Sequence, residues 1–242
     1  MYQTTNIYLT SDLKMAEVIL NNPYLLLLLE HFGIDVPVQD KSLSAVCMEH
    51  NLNPELFLTF ANLYNGVQYT PSVPLSINDT KTIVDYLKNS HKFYSEEIYP
   101  NILRTIKQMA EVNTYKEMAL VQKFFIDYFN EVTDHLDYEN KIVFPYVSDL
   151  YEQIVNSKNL EISTQYSVLE YKDHHNDIKE KLNDLKNLLI KYLPQENDHY
   201  LRRRLILSLF ELEYDLDVHS QIEDLILIPL VSQLESHLNK LR

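Results

Sequence analysis

One segment of this chain is written twice. Residues 135–150 read HLDYENKIVFPYVSDL and residues 219–234 read HSQIEDLILIPLVSQL. A displacement of 84 residues carries His135 onto His219, Glu139 onto Glu223, Pro145 onto Pro229, Val147 onto Val231, Ser148 onto Ser232 and Leu150 onto Leu234. The same displacement carries His91 onto His175 and Glu131 onto Asp215. A repeat that keeps polar residues in step with apolar ones points to two equivalent halves whose His and Glu side chains face inward. Buried imidazoles and carboxylates need partners, and a metal ion is the most economical one.

The rest of the composition narrows the fold around that repeat. Only two glycines, Gly33 and Gly66, occur in 242 residues. Turn-rich β architectures need far more, so the expected fold class is all-α. The formal net charge of −14 repels phosphate backbones and anionic lipid, which argues against nucleic-acid and membrane-surface partners. With Cys47 as the one cysteine, neither an internal disulfide nor a thiolate metal cage can form within the chain. Its place after Leu43 and Val46 suggests a small buried hydrophobe. The opening MYQTTN has no charged segment ahead of an apolar core, and the apolar run at 25–29 is too short to span a bilayer, so a reducing cytoplasm is the expected location.

Breaks in the pattern divide the chain into three. Residues 1–65 are expected to form a small helical domain. Asp12 or Ser11 caps its first helix, Gly33 stops the second, Ser42 caps the third and Asn53-Pro54 opens the fourth. Residues 66–78, with Pro71 and Pro74, read as a linker. Residues 79–242 then hold four long helices, 79–109, 115–155, 162–192 and 198–241, expected as an up-down-up-down bundle. His91, His135, His175 and His219 fall one to each helix.

Within the repeat, His135 and Glu139 are i, i+4, as are His219 and Glu223, which puts each pair on one helix face. Val132, Ile142 and Val143 extend the first stripe; Leu216, Ile226 and Leu227 extend the second. On the third helix the a/d spacing through Ile178, Leu182, Leu185 and Leu189 selects His175, with His174 as the fallback ligand. The expected metal ligands are therefore His91, His135, Glu139, His175, His219 and Glu223. This imidazole and carboxylate set suits iron, manganese or zinc. Glu131 and Asp215, one turn before the repeat histidines, are expected to accept ring N–H groups of ligating histidines. His31, His50, His199 and His237 lie outside the repeat and are expected at the surface or at caps. The run Arg202-Arg203-Arg204 reads as a solvated helix face.

The segments HLDYENKIVFP and HSQIEDLILIP resemble the paired His-x-x-x-Glu…Phe-Pro signatures of hemerythrin-like di-iron proteins of the RIC (repair of iron centres) class. HFGID at 31–35 and SLSAVCMEHNLNPE at 42–55 resemble the small domain preceding the bundle in those proteins. The resemblance implies a hemerythrin-like four-helix bundle. It also implies two non-haem iron ions, oxo- or hydroxo-bridged, in preference to manganese or zinc. The function it implies is a role in nitrosative or oxidative stress, through iron donation or NO and peroxide chemistry. The expected partners are O2, NO or peroxide and iron–sulfur proteins, with a homodimer left open. An O2- or NO-binding sensory or storage module without turnover is the alternative. Two features depart from the family. Val36-Pro37-Val38-Gln39 stands where its members carry Cys-Cys, and no histidine occurs between 91 and 135.

Overall fold

The computed structural model describes residues 7–67, 76–113, 117–156 and 175–241. Every regular element among them is helical, as the scarcity of glycine predicts. The chain forms two compact units. One comprises Met1–Ser90, Phe144–Val168 and Val218–Arg242; the other comprises His91–Val143 and Leu169–Asp217.

The first unit begins with four short helices, α1 Met15–Asn21, α2 Leu25–Phe32, α3 Leu43–Glu49 and α4 Pro54–Tyr64. Their ends follow local chemistry. Ser42 Oγ accepts the Ala45 N–H and Asn53 Oδ1 accepts the Glu55 N–H, each filling an orphan donor at a helix start. Gly33 ends α2 at φ +67°, a left-handed turn that a side chain would disfavour. The start of α1 differs from expectation. Neither Ser11 nor Asp12 caps it; Lys14 precedes it, without a side-chain cap. Residues 13–15 instead pair with 41–43, through Met15 N–H to Lys41 O and Leu43 N–H to Leu13 O.

These helices share a core with α5, Thr80–Phe93. Phe32, Phe57, Phe60 and Tyr86 pack ring against ring, with centroids 4.7–5.7 Å apart. Tyr86 donates its hydroxyl to Tyr64 at 3.0 Å, and Asn89 Nδ2 donates to His31 O at 2.9 Å. His31 is buried with its ring edge-on to Tyr86, so it belongs to this core and not to the surface. Cys47 is buried as expected, and burial pushes its thiol up to about 11. In the same unit α8, Phe144–Asn156, packs on α11, Ile228–Leu241.

The second unit contains α6 Tyr99–Val112, α7 Glu117–Tyr138, α9 His175–Asn187 and most of α10, His199–Ile222. Its core stacks Tyr99, Ile106, Phe125, Tyr128, Leu185 and Leu209, all shielded from water. Each fully buried side chain of this size stabilises by about 1.5–3 kcal/mol. Arg202 departs from the solvated-face expectation. It is buried, and its guanidinium binds Asp198 and the carbonyls of Leu189, Leu193 and Pro194. No helix among the described residues is long and apolar enough to cross a membrane.

Among the described residues the long helices contain four π-turns, Tyr94–Ile98, Glu139–Val143, Leu188–Tyr192 and Glu223–Leu227. One consequence is visible at once. Ile142, placed on the inward stripe by α-helical spacing, is exposed, while Val143, Phe144, Val147 and Leu150 are buried. The wider turn inserts one residue and delays the inward face by one position. The expected third helix is described only from 175 onward, so its stretch 162–174 lies outside the described residues.

Candidate metal centre

His91 lies in the last turn of α5 and His135 in the last turn of α7; Glu139 opens the π-turn that follows α7. His219 lies in the last turn of α10, and Glu223 opens the next π-turn. Glu139 and Glu223 have no solvent exposure, and His91 and His219 are buried with them. Four ligand atoms, one from each of these residues, lie within 4.8 Å of one another. This buried group can hold a metal ion.

The hydrogen bonds around the imidazoles set their tautomers. Ser90 Oγ gives its proton to Leu87 O at 2.8 Å, so it accepts from Nδ1 of His219 at 2.9 Å. Asn140 Oδ1, which can only accept, takes the Nδ1 proton of His91 at 3.2 Å. With the Nδ1 proton so used, each ring turns its Nε2 toward a carboxylate, and without a second proton that nitrogen offers a lone pair. His219 Nε2 is 3.2 Å from Glu223 Oε1, and His91 Nε2 is 3.1 Å from Glu139 Oε2. Two electron-rich atoms at that distance repel unless a cation stands between them. A proton would make buried ion pairs, whose desolvation cost rivals their attraction. A metal ion uses both donors, and nitrogen with carboxylate oxygen suits iron, manganese or zinc. The residues present therefore fit a metal.

His135 adds a further donor. Its Nε2 is 3.0 Å from Glu139 Oε1, so the two oxygens of Glu139 face two different imidazoles. His175 starts α9, but its side chain lies outside the described residues, as does the fallback His174. Glu131 does not orient a ligating ring. It is half exposed and pairs with Lys181, because its position on α7 faces that lysine of α9. Asp215 is buried, as an inward position in the repeat requires.

Glu211 lies one turn before Asp215. Burial first, and the Asp215 charge second, push its carboxyl above the ordinary range. A raised folded-state value disfavours the ionised form in the folded protein. Its stabilising contribution is present below the unfolded value, about 4.3, and is lost as pH rises through the folded one. Glu211→Gln is therefore expected to raise stability at neutral pH, and the gain should vanish below about pH 4. Urea unfolding at both pH values measures it; an equal effect at both would contradict the assignment.

Ser90 and Asn140 are the site residues that sequence reasoning missed. The repeat could not expose them, because the 84-residue displacement carries Ser90 onto His174 and Asn140 onto Asp224. Their adjacency to His91 and Glu139 was the available signal. Comparison with protein families, curated proteins and solved structures finds no match for the chain.

Proposed function

We propose that this chain is a non-haem di-iron protein similar to the hemerythrin-like RIC class, with its long helices forming a four-helix bundle around the metals. The observation that carries the reading is the position of Glu139, whose two oxygens each face a different histidine with no exposure to water. A carboxylate so placed suits two ions, one beside His91 and one beside His135. The repeat supports an equivalent role for Glu223, beside His219 and, by symmetry, His175. Glu139 and Glu223 would offset metal charge, while Ser90 and Asn140 hold the rings of His219 and His91 with Nε2 inward. When bound, iron supplies redox chemistry and open positions for a small ligand such as O2, NO or peroxide. The surrounding side chains exclude bulk water from the carboxylates.

Within this reading, iron donation to iron–sulfur proteins competes with reversible ligand binding in a sensory module. One observation favours binding. The chain's single cysteine is buried with its thiol pushed up to about 11, so it has no accessible thiolate with which to engage a partner's cluster.

Anaerobic iron loading followed by metal analysis tests the proposal. The expected content is about two irons per chain, and fewer than about one would overturn it. Ser90→Ala and Asn140→Ala should each weaken iron retention about 10–100-fold in chelator competition. Unchanged retention in both would remove the tautomer argument. Stopped-flow spectra separate the two activities, since reversible ligand bands favour sensing and iron transfer to an apo cluster protein favours repair.

A further inference from the structure

Among the described residues each π-turn begins six residues before a proline: Tyr94 before Pro100, Glu139 before Pro145, Leu188 before Pro194 and Glu223 before Pro229. Proline has no N–H to give and its ring collides with the carbonyl four residues back, so it breaks an α-helical ladder. At Pro100, Pro145 and Pro229 a turn widened by one residue removes the collision and the helix runs on, whereas at Pro194 the helix ends with Leu193 extended. The hydrogen bonds record the change. Tyr99, Leu193 and Ile228, each just ahead of its proline, donate to the carbonyl five residues back, on Tyr94, Leu188 and Glu223.

Two of the four π-turns begin on a candidate ligand. We propose that Pro145 and Pro229 are positioning residues for the metal centre, and that the π-turns they impose let Glu139 and Glu223 stay on it while the helix beyond each glutamate packs in a shifted phase. This rests on the metal-binding reading above. An α-helix carrying His135 and Glu139 inward would next turn Ile142, Tyr146 and Asp149 inward. In the first half the structure buries Val143, Val147 and Leu150 instead, one position later; in the second half Ile226 and Leu230 are buried together with Leu227, Val231 and Leu234, so both phases face inward there. The inserted residue lets one helix present its His and Glu to the site and still return an apolar face beyond it. In both halves the glutamate is the first residue of the widened turn.

The test uses the full chain. Pro145→Ala combined with deletion of the exposed Lys141 permits an uninterrupted α-helix. The deletion removes the inserted residue, so Val147 and Leu150 keep their inward phase and the fold is not the variable. Pro229→Ala probes the second turn. Pro194→Ala replaces the proline just past a π-turn that carries no candidate ligand and serves as the comparison. Iron affinity is read by chelator competition, and folding by far-ultraviolet circular dichroism and the urea midpoint. The Pro145→Ala deletion variant and Pro229→Ala should hold iron about 10–100-fold more weakly with helix content unchanged, while Pro194→Ala keeps wild-type affinity. Wild-type affinity in the first two variants, or an equal loss in all three, overturns the proposal. A wild-type protein that takes up no iron overturns the reading beneath it, which is a different result.

Discussion

Glu223→Gln is expected to abolish most of the stabilisation that iron would give this protein if the proposed centre forms. Any ion that binds only the folded state stabilises it by mass action, about 4.1 kcal/mol at a thousandfold excess over the dissociation constant. Glu223 is fully buried with its Oε1 3.2 Å from His219 Nε2, so the two donors are placed to share an ion. Glutamine keeps the shape and removes the charge that a cation needs. At the same iron concentration the variant should unfold at nearly the same urea concentration with and without metal, while the wild type shifts by the full amount. Glu139→Gln should lose more, since that carboxylate faces both His91 and His135. A metal-free helical scaffold behaves differently. Its buried pairs would be balanced by protons, iron would stabilise neither protein, and Glu223→Gln would cost about 3–5 kcal/mol by itself. That pattern would sink the metal reading.

Arg202→Met should destabilise the protein by about 3–5 kcal/mol whatever the metal does. The guanidinium reaches Asp198 through Nε at 3.1 Å and Nη2 at 2.9 Å. Its other donors serve Leu189 O at 3.1 Å, Leu193 O at 2.7 Å and Pro194 O at 2.5 Å. Those carbonyls belong to a π-turn and the bend after it, where the helical ladder has run out. Asp198 stands at the start of α10, where the helix dipole also favours its charge. Methionine fills the volume but leaves a buried carboxylate without its guanidinium and three carbonyls without donors. Lysine should not rescue, because a single ammonium cannot reproduce the planar fork. Equilibrium urea unfolding gives the answer, and a loss below about 1 kcal/mol would mean that water replaces the guanidinium at little cost. A cycle with Asp198→Asn separates the ion pair from the carbonyl contacts.

Much of this architecture is legible in the sequence, because helices announce themselves through capping residues and the absence of glycine. The ends of α2, α3 and α4 fall where Gly33, Ser42 and Pro54 place them. The buried group His91, Glu139, His219 and Glu223 is legible because a buried His or Glu must be kept in both halves of the repeat. What escapes is whatever depends on a third partner. Glu131 has the spacing of a ring-orienting carboxylate, yet it turns to Lys181. Arg202 sits in a run of three arginines, and only its folded neighbours distinguish it from the other two. Pro145 and Pro229 were visible inside their helices, but a proline alone does not say whether the helix kinks, ends or widens. Ile142 was misplaced for that reason.

Tyr86, Asn89 and Ser90 occupy little more than one turn of α5. The first two are engaged by the N-terminal helices, through the Tyr64 hydroxyl and the His31 carbonyl, and the third holds the ring of His219. This turn works as a hinge pin seated in two fittings. Cutting the chain after Tyr64 would not free a metal domain of an accessory. It would strip the packing from the helical turn that keeps one imidazole at its angle, and an apparent regulatory effect of such a cut would be a mechanical one.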